Sequence, residues 1–128
     1  TLAAIVGARP PGSPVFDAYL HVIERFPRQA RFAGVRFGDA RFRSPDGLTQ
    51  LLAPGFRDLA VEDLQLALRL TPEAAWQWFL RMYDIHMMDA EDREAARSAF
   101  MVRITPHVQA DGLLPYPQAM RFFRAVRE

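Results

Sequence analysis

The chain has 128 residues, half of them apolar and about a quarter charged, which suits one globular domain closing a hydrophobic core and excludes a disordered chain. It has no cysteine, so disulfides, thiol nucleophiles and thiolate metal sites are excluded. Its 16 basic residues, all arginine, face 15 acidic ones, so a net charge of +1 excludes global steering of polyanions, and the lack of lysine excludes a Schiff base.

No apolar run approaches the roughly 20 residues of a membrane span. The N-terminus lacks the charged leader and cleavage site of a signal peptide, so the expected compartment is the cytoplasm. Opening on an apolar run without an initiator Met reads as a chain entered mid-strand.

In chain order, Leu2 to Val6 is a continuous apolar run ending at Gly7, the pattern of a parallel-sheet strand buried on both faces. Pro10, Pro11, Gly12 and Pro14 then impose a loop, and Ser13 caps a helix with Pro14 at its first position. That helix turns Val15, Phe16, Tyr19, Leu20, Val22 and Ile23 inward and stops before Pro27. Residues 28–43 are irregular, broken by Gly34 and Gly38 and anchored by Phe32, Val35, Phe37 and Phe42.

Ser44-Pro45-Asp46 caps a short helix through Leu48, Leu51 and Leu52, which Pro54-Gly55 ends. Leu59 to Leu70 has the period of a long strand. Thr71-Pro72-Glu73 is a third cap, with a helix following to about Met88. A fourth helix opens at Asp89 to Asp92 and ends near Pro106. Asp111-Gly112 makes a turn, and Met120 to Val126 reads as the last strand.

Candidate sites follow from this layout. On the helix from Pro72, Glu73, Gln77, Arg81 and Asp84 share one polar stripe, and the rest is apolar, which predicts burial on two sides. His86 lies nearly opposite that stripe with Phe79 and Met82. It is either a pocket base or a core histidine with a backbone partner. Arg9 falls outside the carboxyl end of the first strand, where open α/β sheets bind ligands, with Phe16 and Tyr19 on the next helix. The plainer alternative is a surface arginine and core aromatics. Arg25, Arg28, Arg31, Arg36, Arg41 and Arg43, interleaved with Phe32, Phe37 and Phe42, are the one pattern an RNA surface could use, but the phenylalanines are also the segment's only anchors, and nucleic-acid binding is not expected. His21 and His107 have no metal-ligand spacing, so no metal is expected.

Leu2-Ala3-Ala4-Ile5-Val6-Gly7 before Pro10-Pro11 and Phe16, then Ser44 to Leu52 running into Gly55-Phe56-Arg57-Asp58-Leu59-Ala60-Val61-Glu62, resemble the C-terminal half of class I S-adenosylmethionine-dependent methyltransferases of small molecules. Thr71 to Val108, Asp111-Gly112-Leu113 and Ala119 to Val126 occupy the places of that family's inserted helical pair, turn and final strand. The resemblance covers nearly the whole of residues 1–128. It implies an α/β fold: a partial Rossmann-like sheet of the last three strands, the final one antiparallel, with a helical lid over about 71–108.

It also implies a truncated methyltransferase domain whose small-molecule substrate meets Arg9, Phe16, Tyr19, Phe79, Met82 and His86, with His86 the one catalytic candidate. S-adenosylmethionine would serve the complete enzyme. The family's glycine-rich cofactor loop has no counterpart here, so no cofactor-binding residue is carried over and the isolated chain is expected to be inactive. The remaining alternative is a non-enzymatic ligand-binding or dimerisation module of the same fold. In either case the edge at residues 2–6, which the family pairs with a preceding strand, is expected to pair with another strand or a second copy.

Overall fold

The computed structural model describes every residue of the chain except Phe37. Its main elements are β1 (Leu2–Ala8), α1 (Pro14–Arg25), α2 (Pro45–Leu52), β2 (Phe56–Leu70), α3 (Pro72–Phe79), α4 (Tyr83–His86), α5 (Ala90–Ile104) and β3 (Leu114–Arg127). The protein is α/β, with one open antiparallel sheet in the order β1-β3-β2. The chain gathers into two compact units. One contains residues 1–10, 36–66 and 118–128; the other contains 11–35 and 67–117.

Local hydrogen bonds start three of the helices where the sequence places them. Ser13 Oγ accepts from Phe16 N at 3.3 Å, Ser44 Oγ from Gly47 N at 3.0 Å and Thr71 Oγ1 from Ala74 N at 3.1 Å. In each case proline takes the next position, where its missing N–H costs nothing.

In the sheet-bearing unit, β1 pairs antiparallel with β3 from Leu2↔Ala125 to Ala8↔Ala119. The expectation of a strand buried on both faces fails. Leu2, Ala4 and Val6 pack toward Leu48, Leu52 and Phe123, while Ala3, Ile5 and Gly7 are exposed on the other face. An unbroken apolar run also fits a half-buried edge strand when its outward residues are small, and here only Ile5 among them is large.

β2 begins at Phe56 rather than Leu59. Asp58 adopts a left-handed φ of 55°, and the irregularity puts both Phe56 and Leu59 against the same core although they are three residues apart. α2 packs on the turn at Ala40–Arg43 so closely that Gly47 has no room for a side chain. A Cβ there would stand 2.3 Å from the Arg41 carbonyl oxygen.

β3 starts at Leu114, well before the predicted Met120. Pro115 and Pro117 disguise its start, yet both lie beyond the Ala119–Ala125 stretch paired to β1, so their lack of N–H removes no bond to that strand.

The helical unit closes around Val22, Trp76, Phe79, Ile85, Phe100, Ile104 and Leu114, all buried, with α1 packed on α5. The predicted helix from Pro72 to about Met88 is instead two, because the chain turns extended at Met82 (φ −80°, ψ 142°). The reason is burial. At about 100° per residue, a continuous helix would carry Ile85 about 120° and Met88 about 180° away from Phe79. The break returns both to the core that holds Ala75, Trp76 and Phe79. Tyr83 and His86 are left in solvent, so the predicted helix burying apolar residues on two sides is not formed.

Candidate functional site

The structure brings four of the six predicted substrate-site residues together. Tyr19 stacks on Phe79 with ring centroids 4.3 Å apart and planes within 9°, and Phe16 tilts against Tyr19 at 5.9 Å. Met82 packs on the same cluster. Phe79 also meets Phe100 and Tyr116 edge-on at 5.5 and 6.1 Å. The α1 spacing that turns Tyr19 inward and the α3 spacing that turns Phe79 inward therefore converge on one aromatic cluster.

The other two are placed elsewhere. His86 ends α4 and is exposed, in contrast to its predicted position within an apolar face. Arg9 is exposed just after β1 and belongs to the sheet-bearing unit.

The polar centre of the helical unit is Asp84, which a continuous helix from Pro72 would place in one polar stripe with Glu73, Gln77 and Arg81. Its Oδ2 accepts from the Tyr19 hydroxyl at 3.3 Å, and its Oδ1 accepts from Arg28 Nη2 at 2.5 Å. Arg28 Nη1 also donates to the Val35 carbonyl at 2.9 Å, and Gln29 N donates to the Met87 carbonyl at 2.7 Å. Together these bonds strap residues 28–35 to α4. No local spacing signals the arrangement, since Asp84 is 65 residues from Tyr19 and 56 from Arg28.

Burial and the Asp84 carboxylate push the Tyr19 phenol well above its ordinary value. Burial alone raises Tyr116 to about 12. Both phenols are therefore protonated donors at neutral pH, unsuited to act as bases.

The arginine-rich stretch does not form one surface within either unit. Arg25, Arg28 and Arg31 belong to the helical unit, whereas Arg36, Arg41 and Arg43 belong to the sheet-bearing one. Arg31 lies over the Phe32 ring at 4.6 Å, and Arg25 over Phe26 at 5.6 Å, so two of these cations are engaged with the chain's own aromatics. Arg41 chelates Asp39, and its guanidinium bonds hold that carboxyl down at about 2. Phe37, the remaining aromatic of that pattern, lies outside the described residues.

Among the described residues no cluster of three or more His, Asp or Glu side chains could hold a metal ion, and no helix is long and apolar enough to cross a membrane. Of the glycines, only Gly47 closely approaches other atoms, and those belong to the Arg41 backbone. No known family model matches the chain, and no curated protein matches it.

Proposed function

We propose that this chain is the C-terminal, substrate-side portion of an S-adenosylmethionine-dependent methyltransferase acting on a small molecule. One observation carries the reading: β3, last in sequence, lies between β1 and β2 and runs antiparallel to β1, with α3, α4 and α5 inserted between β2 and β3. The resemblance assigns an antiparallel final strand and a helical insert to these same segments. On this reading the sheet is part of a larger Rossmann-like one, and β1 is an interior strand of it. The outer edge of β1, which pairs with no strand among the described residues, supports that.

The helical unit would cap the methyl acceptor, with the Phe16, Tyr19, Phe79 and Met82 cluster forming the rigid body of the cap. Its part is to bind, orient and exclude water, which is most of what in-line transfer asks of a protein. The cofactor, which supplies the transferable methyl group, would be held by a portion of the protein other than this chain.

Reading the coding sequence upstream of Thr1 tests this. An acidic residue followed by a G-x-G-x-G-like motif about 80–100 residues before Thr1 is expected. The polypeptide that includes it should transfer labelled methyl from S-adenosylmethionine to a small-molecule acceptor. A longer polypeptide without the motif and without S-adenosylmethionine binding overturns the reading.

The same edge favours a second reading, a non-enzymatic module that dimerises through β1. The strand carries no charge, and Ile5 is 60% exposed. Antiparallel pairing of two copies about Ile5 would set the two Arg9 side chains at opposite ends of the ladder, whereas parallel pairing would oppose them. Sedimentation equilibrium decides it. Ile5→Lys should dissociate the dimer, a monomer at high concentration retires the module, and only the upstream motif separates a genuine dimer of this kind from the methyltransferase reading.

A further inference from the structure

We propose that a cleft between α3 and α5 binds a small organic monocarboxylate, anchored by the Arg93 guanidinium. The cleft measures about 290 Å³ and is lined by Trp76, Gln77, Leu80, Ala90, Arg93, Glu94 and Arg97, all in the helical unit. That is just under the roughly 300 Å³ at which drug-sized ligand sites begin, so its occupant is a single ring or a short chain. Leu80 and Ala90 supply the accessible apolar surface, with Trp76 almost wholly buried behind it. Trp76 is 2% exposed and rests on Phe100 with centroids 5.5 Å apart, so this wall is fixed before anything binds.

The charges in the cleft are unevenly used. Arg97 donates to Glu73 Oε2 at 2.7 Å and approaches Glu94 at 3.9 Å, while Gln77 Nε2 donates to Glu73 Oε1 at 2.8 Å. Glu73 is thus bonded to Arg97 and Gln77, while Glu94 is only within ion-pair distance of Arg97. Arg93 is half-buried, one helical turn before Arg97, and has no carboxylate partner among the described residues. A guanidinium beside an apolar wall, with its fork of donors unused, matches one carboxylate in two-point geometry. Glu73 and Glu94 nearby disfavour a dianion such as phosphate, which narrows the class to monoanions.

Benzoate is the probe, with benzamide as its uncharged counterpart. Trp76 fluorescence is followed in a Trp78→Phe background, since Trp78 is 40% exposed and would otherwise add its own signal. Amide chemical shifts across residues 76–80 and 90–97 are read alongside. Benzoate should give saturable changes in both, benzamide should bind at least tenfold more weakly, and Arg93→Gln should weaken benzoate at least tenfold. Arg103→Gln, on the same helix but outside the cleft, should leave binding unchanged. If Arg93→Gln fails to fold, Arg93→Lys with a salt titration replaces it, and benzoate affinity should fall with both. Equal binding of benzamide and benzoate, undiminished binding to the Arg93 variants, or shifts that never saturate would overturn the site.

Discussion

Arg121 of β3 holds the Asp63 carboxylate of β2 by two parallel bonds, Nε to Oδ1 at 2.6 Å and Nη2 to Oδ2 at 2.9 Å. The arginine side chain is only 11% exposed, whereas that of Asp63 is 56% exposed. The pair is therefore asymmetric. Removing the acid strands a mostly buried cation, while removing the base leaves a carboxylate that water can solvate. Asp63→Ala should lower the urea midpoint more than Arg121→Met does. The reverse order would show that the buried guanidinium does not depend on this partner.

The same bonds set a pH dependence. Hydrogen bonding from Arg121 holds the Asp63 pKa below its ordinary value. A depressed carboxylate contributes stability that is fully present above its unfolded pKa and is lost as pH falls through the folded one. The midpoint of Asp63→Asn should consequently fall less than wild type between about pH 5 and pH 2. Parallel acid limbs in the two proteins would rule the linkage out.

Gly47→Ala pits two effects of known size against each other. Alanine gains about 1 kcal/mol of helix propensity over glycine. Its Cβ, however, would sit 2.3 Å from the Arg41 oxygen and 2.7 Å from the Arg41 Cα, both backbone atoms that cannot rotate away. Overpacking of this kind costs about 1–3 kcal/mol and wins. Denaturant melts should show net destabilisation of up to about 2 kcal/mol; a stabilised variant would mean that the turn at Ala40–Arg43 yields freely.

Phe79 has no exposed surface and touches Tyr19, Phe100 and Tyr116. Phe79→Ala should cost about 3–5 kcal/mol through lost burial and the cavity left behind. Val102→Ala, at a side chain 76% exposed, should stay within about 0.5 kcal/mol. Chemical denaturation of both variants checks the contrast, and a mild effect at Phe79 would mean that the aromatic cluster repacks.

Alkaline conditions should destabilise the helical unit. The Tyr19 and Tyr116 phenols both titrate above the ordinary 10.0, Tyr19 through burial and Asp84, and Tyr116 at about 12 through burial. Because the unfolded chain loses these protons first, stability falls as pH rises above about 10, by up to about 3 kcal/mol from Tyr116 alone. Tyr116→Phe should melt less steeply between pH 10 and 12, as read by circular dichroism. Coincident alkaline transitions for variant and wild type would contradict this.

The residue order alone determined what depends on neighbours a few positions away. Ser13-Pro14, Ser44-Pro45 and Thr71-Pro72 each combine an acceptor side chain with a fixed φ, so three helix starts were legible without any tertiary contact. The inward face of α1 and the existence of a long strand at β2 were legible for the same reason, since periodicity is local, although Leu66 and Leu68 of that strand are exposed. The break at Met82 was not. Leu80, Arg81 and Met82 are ordinary helix formers, and only the core shared with Phe79 repays breaking the helix to bury Ile85 and Met88.

The same limit hid Asp84, whose partners Tyr19 and Arg28 are dozens of residues away, and misplaced His86, whose facing depended on a continuous helix. It also governed β1. An apolar run states which surfaces can be buried, but whether one face or both are covered depends on which segments arrive beside it, and that is decided only when the chain has folded.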